Sequence, residues 1–344
     1  MPTIRGLSPW STNSRRIPLF ASLRSSRRCA RSWIDRAKIR QPGARGRGES
    51  DSGSDFGSGV ISFSSPMNTS PTPDLIFDVG MNNGDDAAFY LECGFRVVAV
   101  EANEAFCGQV AARFPEAVRD GRLVIQNVAV AGEPGEVEFW INEDHPEWSA
   151  LDVASAARGG HRHRKVTVPA VRFGDLLRQH GVPHYLKVDI ESADHFCLDG
   201  LREVGLPDYL SVEVSDVALV DACEALGYRR FMLVEQSSLL PIDDWSGPLG
   251  WTAQFPRILT AHRAWPYRLI RKLAGYQRIR TLGQRSRRFP GRDFPIGSSG
   301  DFGSNLMGTW VSGDAVKALW HVHYRHWTSH GREFWCDLHA SREE

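Results

Sequence analysis

From residue 74 onward, short apolar runs alternate with longer amphipathic ones. Runs of four to eight apolar residues bounded by Gly, Asn or Asp read as buried strands. A spacing of three and four apolar positions reads as a helix. On this basis strands are predicted at Leu75–Val79, Arg96–Val100, Leu123–Val130, Val166–Val171, Tyr185–Ile190, Tyr209–Val214 and Arg230–Val234. Helices are predicted at Asp85–Cys93, Glu104–Phe114, Phe173–His180 and Ala193–Val204, with another ahead of Arg230. Between Gly132 and Arg164 the chain is polar and irregular, except for a hairpin strand expected near Val137–Ile141. Repeated strand–helix alternation predicts an α/β fold, a mostly parallel sheet with helices on both faces.

The two ends break this pattern. Residues 1–48 hold eleven Arg and one Lys against a single acid, Asp35, among Ser, Gly and Pro. Such a stretch cannot bury enough apolar surface to offset its ordering entropy, so 1–66 is expected to be a disordered basic segment. It reads as a transit-like peptide, a basic arm or an over-long start ahead of Met67; the last is favoured, since the stretch shows no periodicity. The domain proper is expected over 67–240, and 241–344 as an irregular extension rich in Trp, Arg and His.

Overall charge is balanced, with 41 basic and 41 acidic side chains, which argues against a dedicated nucleic-acid binder. The basic stretch 267–288 has apolar residues at roughly helical spacing and reads first as a solvated helix; surface association with a membrane or an anionic glycan stays open. No apolar run is long enough to cross a bilayer. Six scattered cysteines without a C-x-x-C pair read as reduced thiols, and a cytoplasmic location is expected. His321, His323, His326, His330 and His339 with Cys336 match no standard zinc spacing, and no metal ligand is assigned.

Candidate chemistry sits at strand ends, where open α/β sheets bind ligands. The first strand runs into Asp78-Val79-Gly80-Met81-Asn82-Asn83-Gly84, followed by a helix opening with Asp85 and Asp86. A dinucleotide turn wants glycines where Asn82 and Asp85 stand, and its pyrophosphate would meet the two acids. S-adenosyl-L-methionine carries a sulfonium and an amino group and no phosphate, so the acids favour it. Glu101, at the end of the second strand with Asn103 beside it, is placed to accept the hydroxyls of a ribose. Asp78, Gly80, Asn82, Gly84, Glu101 and Asn103 are therefore the candidate cofactor-binding residues. Alternation puts Lys187, Asp189 and Glu191 on one side of a core strand, where charges need pairing or a task. Asp189 is the first candidate for the polar group at the reacting centre, with Glu191, Lys187 and His195 behind it. Acids at neighbouring strand ends, Glu213 included, are also donors that Mg²⁺ would accept.

The segments F-D-V-G-M-N-N-G (77–84), V-V-A-V-E-A-N (97–103) and L-K-V-D-I-E-S-A-D (186–194) resemble the FkbM family of methyltransferases. Ser192 and Asp194 stand where the family pattern has Gly and Glu. The resemblance covers about 74–240 and implies a Rossmann-like class I methyltransferase fold, S-adenosyl-L-methionine as cofactor, and methylation of a hydroxyl on a sugar, glycan or secondary-metabolite acceptor. An NAD-dependent oxidoreductase and a non-catalytic binding scaffold are the alternatives. Oligomeric state is not legible in the sequence.

Overall fold

The structure, a computed structural model, describes residues 70–191, 193–236, 238–242, 265–275, 297–328 and 335–343, with 259, 278, 292, 294 and 295. Residues 1–66, Cys29, Met67, Ser192, His330 and most of the basic stretch beyond Gly275 lie outside the described residues.

The first half of the chain lays down strand β1 (Thr72–Val79), helix α1 (Asp85–Glu92), strand β2 (Arg96–Val100), helices α2 (Glu104–Arg113) and α3 (Pro115–Arg119), and strands β3 (Leu123–Gln126) and β4 (Ala129–Val130). A hairpin follows, β5 (Gly135–Asn142) and β6 (His163–Val171), with the short helix α4 (Val153–Ala156) in its crest. Then come α5 (Phe173–His180), β7 (Pro183–Val188), α6 (Asp194–Val204), β8 (Tyr209–Glu213), α7 (Ala218–Leu226), β9 (Arg230–Glu235) and β10 (Leu240–Pro241). The last part adds α8 (Trp265–Ala274), α9 (Gly313–Thr328) and β11 (Cys336–Ser341).

Eight strands form one sheet in the order β10-β9-β11-β8-β7-β1-β2-β3. β3, β2, β1, β7 and β8 are parallel, and β11 runs antiparallel between β8 and β9. The expected Rossmann-like class I sheet is therefore present. Period-two alternation explains its two cores. Leu75, Phe77 and Val79 of β1 face Phe173, Leu177, Leu198 and Val220 on α5, α6 and α7. Ile76 and Tyr185 face Phe89 and Tyr90 of α1, where Phe302 stacks on Tyr185 at 4.5 Å. Strand order reverses between β1 and β7, so a crevice opens beyond their carboxyl ends.

Several elements differ from the expectation, helix α9 in the segment expected to be irregular among them, and two bear on the sheet. The apolar run Leu123–Val130 breaks after Gln126, and Ala129–Val130 pairs with β6 in a second, three-stranded sheet. Asn127 causes the break, because its side-chain amide donates to the Glu101 and Ala102 carbonyls at 2.9 and 3.2 Å and carries the chain across the end of β2. The second difference is β11, a fully buried strand inside the segment expected to be irregular. Its sequence, CDLHAS, alternates apolar and polar residues as a half-exposed strand would, yet both of its faces are covered and Asp337, His339 and Ser341 are buried too.

Cys93, Cys107, Cys197, Cys223 and Cys336 are buried free thiols. Among the described residues no helix is long and apolar enough to cross a membrane.

Because β11 fills the gap between β8 and β9, its side chains carry core stability. Leu338 is 1% exposed. Leu338→Ala is expected to lower unfolding free energy by about 2–5 kcal/mol, measured by urea denaturation. A loss well below that range would mean β11 docks only loosely.

Candidate functional site

The chain leaves β1 through Gly80, whose φ of +83° suits glycine. A Cβ there would lie 1.8 Å from the Asp189 carbonyl oxygen, so the loop after β1 and the loop after β7 touch backbone to backbone. Asn82 also has positive φ, at +51°. Gly84, at φ +77°, begins α1 and packs so closely on Val110 that a Cβ would lie 2.8 Å from it.

Glu101 follows β2. One carboxylate oxygen accepts the Asn82 N–H at 2.9 Å, and the other accepts the Asn103 N–H at 2.8 Å. Burial pushes its pKa up and these two donors pull it down, with a net rise. The Asn103 side chain is used locally, capping α2 by accepting the Ala105 N–H at 3.1 Å.

Beneath the loop lies a buried charge cluster. Asp78 of β1 is directly across from Lys187 of β7. The Lys187 ammonium, 3% exposed, is 3.4 Å from Asp78, 3.5 Å from Asp86 and 3.6 Å from Asp189, and it donates to the Gly80 carbonyl at 3.2 Å. Burial disfavours its charge, but the carboxylates of Asp78, Asp189 and Asp86 outweigh that and hold its pKa well above the ordinary lysine value. Burial pushes the Asp78 carboxyl up, against the pull of Lys187. Asp86 also accepts the Ser298 hydroxyl and the Ser299 N–H, which ties the late segment to α1.

Glu191 is a non-glycine residue at φ +47° just beyond β7. Its carboxylate takes a 2.5 Å hydrogen bond from Arg158, and burial raises its pKa. Arg158 lies in the crest of the β5–β6 hairpin, with its guanidinium 4.5 Å from the centre of the Trp148 ring. Trp148 stacks on His145 at 4.1 Å. Asn142, fully buried, pins the same crest: its amide donates to Ala156 and its carbonyl accepts the Asp144 and His145 N–H groups.

These parts surround one cleft. Gly80, Asn82, Glu101, Asp189 and Glu191 line its polar side. Phe106, Val128, Val130, Phe139 and Leu151 form an apolar wall. Of the residues singled out in the sequence, Asp78, Lys187, Gly84 and Asn103 are not among the lining residues: the first two are buried in the charge cluster, Gly84 packs on Val110, and Asn103 caps α2. His195 is exposed on α6 against Phe196, and it is not among the lining residues. Arg158 and Asn142 had no sequence signal, because Glu191 and Ala156, which they hold, are 33 and 14 residues away along the chain and meet them only in the folded structure.

The Mg²⁺ expectation is not carried forward. Among the described residues no group of three or more His, Cys, Asp or Glu is arranged to hold a metal ion. Around Asp78, Asp86 and Asp189 the cation's place is taken by the Lys187 ammonium.

A second acidic pair lies next to this cluster, where Glu213 at the end of β8 faces Asp337 of β11 across the sheet. Burial, with the charges of Asp189 and Asp337, pushes Glu213 up to about 9. Below its ordinary value of 4.5, Glu213 is protonated in both folded and unfolded chains. Between there and about 9 only the folded chain keeps the proton, so stability falls as pH rises through that window. Glu213→Gln is expected to flatten this slope and to gain stability over the parent toward alkaline pH. Urea titrations across the window measure it, and parallel pH profiles for the two proteins would refute the assignment.

Residues 78–236 match the family model described as the methyltransferase FkbM domain. No curated protein matches the chain. A solved structure of phosphoethanolamine N-methyltransferase 2 from Haemonchus contortus, in complex with S-adenosyl-L-methionine, is similar at 9% identity with a TM-score of 0.31. That likeness covers 81% of this chain and 50% of the other, so the chain spans half the length of that protein. The stretch from Asp78 to Gln236 is thus similar to the methyltransferase FkbM domain.

Proposed function

We propose that the chain is an S-adenosyl-L-methionine-dependent methyltransferase acting on a hydroxyl of a sugar, glycan or secondary-metabolite acceptor. The observation that carries the cofactor assignment is Glu101. A carboxylate offers about four acceptor positions. Two are taken by the Asn82 and Asn103 N–H groups, one on each oxygen, which fixes the plane of the carboxylate at the cleft. The remaining positions suit the two hydroxyls of a ribose, at the strand end where α/β sheets hold nucleosides.

The rest of the cleft supports the same reading. The apolar wall of Phe106, Val128, Phe139 and Leu151 suits a flat heteroaromatic base. The tight Gly80 turn leaves backbone close to a ligand. The many carboxylates around it favour a cationic group over a phosphate. A pyrophosphate at the start of α1 would meet Asp85 and Asp86, and the Asp85 N–H is already satisfied by the Asn83 side chain at 3.0 Å. The oxidoreductase reading is weaker for that reason.

When bound, the sulfonium supplies a methyl group to a nucleophile. The chain's own task is then orientation and proton handling. Asp189, with its side chain 41% exposed and lining the cleft, is the carboxylate we assign to the acceptor hydroxyl. Lys187 is a positioning residue that holds Asp189 and the Gly80 carbonyl. Arg158 holds Glu191 and the hairpin crest that roofs the cleft. The acceptor class rests on the resemblance to the FkbM family alone. The buried free thiols support a cytoplasmic location.

Calorimetric titration with S-adenosyl-L-methionine, S-adenosylhomocysteine and NAD tests the assignment. The two sulfur nucleosides are expected to bind and NAD not. Glu101→Ala should weaken both on the order of a hundredfold, the worth of two hydrogen bonds to a charged group. Binding of NAD alone would overturn the proposal. No binding by the folded protein would favour the scaffold reading.

A further inference from the structure

Helix α8 lies outside everything described so far. Its ten residues read WPYRLIRKLA, and none of them is buried. Trp265, Leu269 and Leu273 recur at every fourth position and so fall on one line of the helix. They are 73%, 47% and 78% exposed, and Ile270 beside them is 41% exposed. Soluble proteins usually turn such a stripe inward; here it faces solvent. Arg268, Arg271 and Lys272 occupy the adjacent arc, and Arg271 reaches the Leu259 carbonyl at 2.7 Å. The helix contains no acid, and the sequence continues from it to Arg288 with five further Arg and still no acid.

In a chain of zero net charge, this is a strong local excess of one sign. An outward apolar stripe alone would suit many partners. The stripe combined with a flanking cationic arc narrows the choice. Apolar side chains sink into the acyl boundary of a bilayer while Lys and Arg meet anionic headgroups, and a Trp at the edge suits the interface between them. Helix α8 is too short to span, so it would lie in the plane of the surface. We infer that α8 docks the protein on a membrane surface that contains anionic phospholipid, with Trp265, Leu269, Ile270 and Leu273 inserted and Arg268 and Lys272 on the headgroups.

Flotation of the full chain with vesicles tests this, using phosphatidylcholine alone and phosphatidylcholine mixed with phosphatidylglycerol. Binding is expected to the mixed vesicles only, and it should weaken as salt rises. Arg268→Gln with Lys272→Gln should lower affinity on the order of thirtyfold, from the contribution of two basic residues at an anionic surface. Leu269→Ser with Leu273→Ser should lower it by roughly tenfold or more. Both pairs are solvent-facing, so thermal melting should match the parent and show that folding is intact. A duplex DNA probe separates general polyanion binding from lipid docking. Absence of binding to the mixed vesicles would overturn the inference, as would full binding by the two-Ser variant. So would DNA binding as tight as vesicle binding and equally indifferent to the Leu changes.

Discussion

A single buried ammonium organises the centre of this molecule. Taking a lysine out of water costs several kcal/mol, and a carboxylate as buried as Asp78 costs a comparable amount. Neither is tolerable alone. Lys187 is offset by three carboxylates and a backbone carbonyl, each from a different piece of the fold: Asp78 from β1, Asp86 from α1, Asp189 from the loop after β7, and the Gly80 carbonyl from the loop after β1. If one of these pieces moves, a buried charge loses its partner. The cluster therefore locks the relative position of the two loops that form the polar side of the cleft.

The lock extends to the far end of the chain. Asp86 holds Ser298 and Ser299, and Asp337 contributes to the field at Lys187 from the strand inserted between β8 and β9. Phe302 stacks on Tyr185, two residues before Lys187. The late segment thus supplies core packing, a sheet strand and part of the electrostatics. The FkbM-like stretch that ends near Gln236 by sequence match still relies on residues past 290 to close its sheet.

What could be read in the sequence follows from how local each feature is. Asp78, Glu101 and Asp189 were legible because each terminates an apolar run, and strand ends are where such a fold puts ligands. Lys187 was legible from two-residue alternation, and the structure buries it among three carboxylates. His195 was a candidate because of its neighbours in sequence, but helical geometry turns it outward. β11 was missed although Cys336, Leu338 and Ala340 alternate with Asp337, His339 and Ser341, because six residues with no β-branched or aromatic side chain give a weak strand signal. Arg158 and Asn142 were invisible for another reason: Arg158 meets Glu191 only when the hairpin crest folds back over the loop after β7, and Asn142 reaches Ala156 only through the fold of that crest.

The arrangement of charge also bears on ligand class more firmly than any single residue. Asp78, Asp189, Glu191, Glu101, Glu213 and Asp337 gather at one edge of the sheet, against the ammonium of Lys187 and the guanidinium of Arg158. Both cations are already engaged, Lys187 by three carboxylates and Arg158 by Glu191. An anionic ligand would find acids and committed cations, while a cationic one would find carboxylates. The raised pKa of Glu213 and of Asp337 is the protein's own response to that crowding, as carboxyls keep protons where a further negative charge would go unbalanced. A ligand bringing positive charge to this edge relieves the same imbalance. The acids that line the cleft, Glu101, Asp189 and Glu191, are on that ground the ones that would favour a sulfonium over a phosphate.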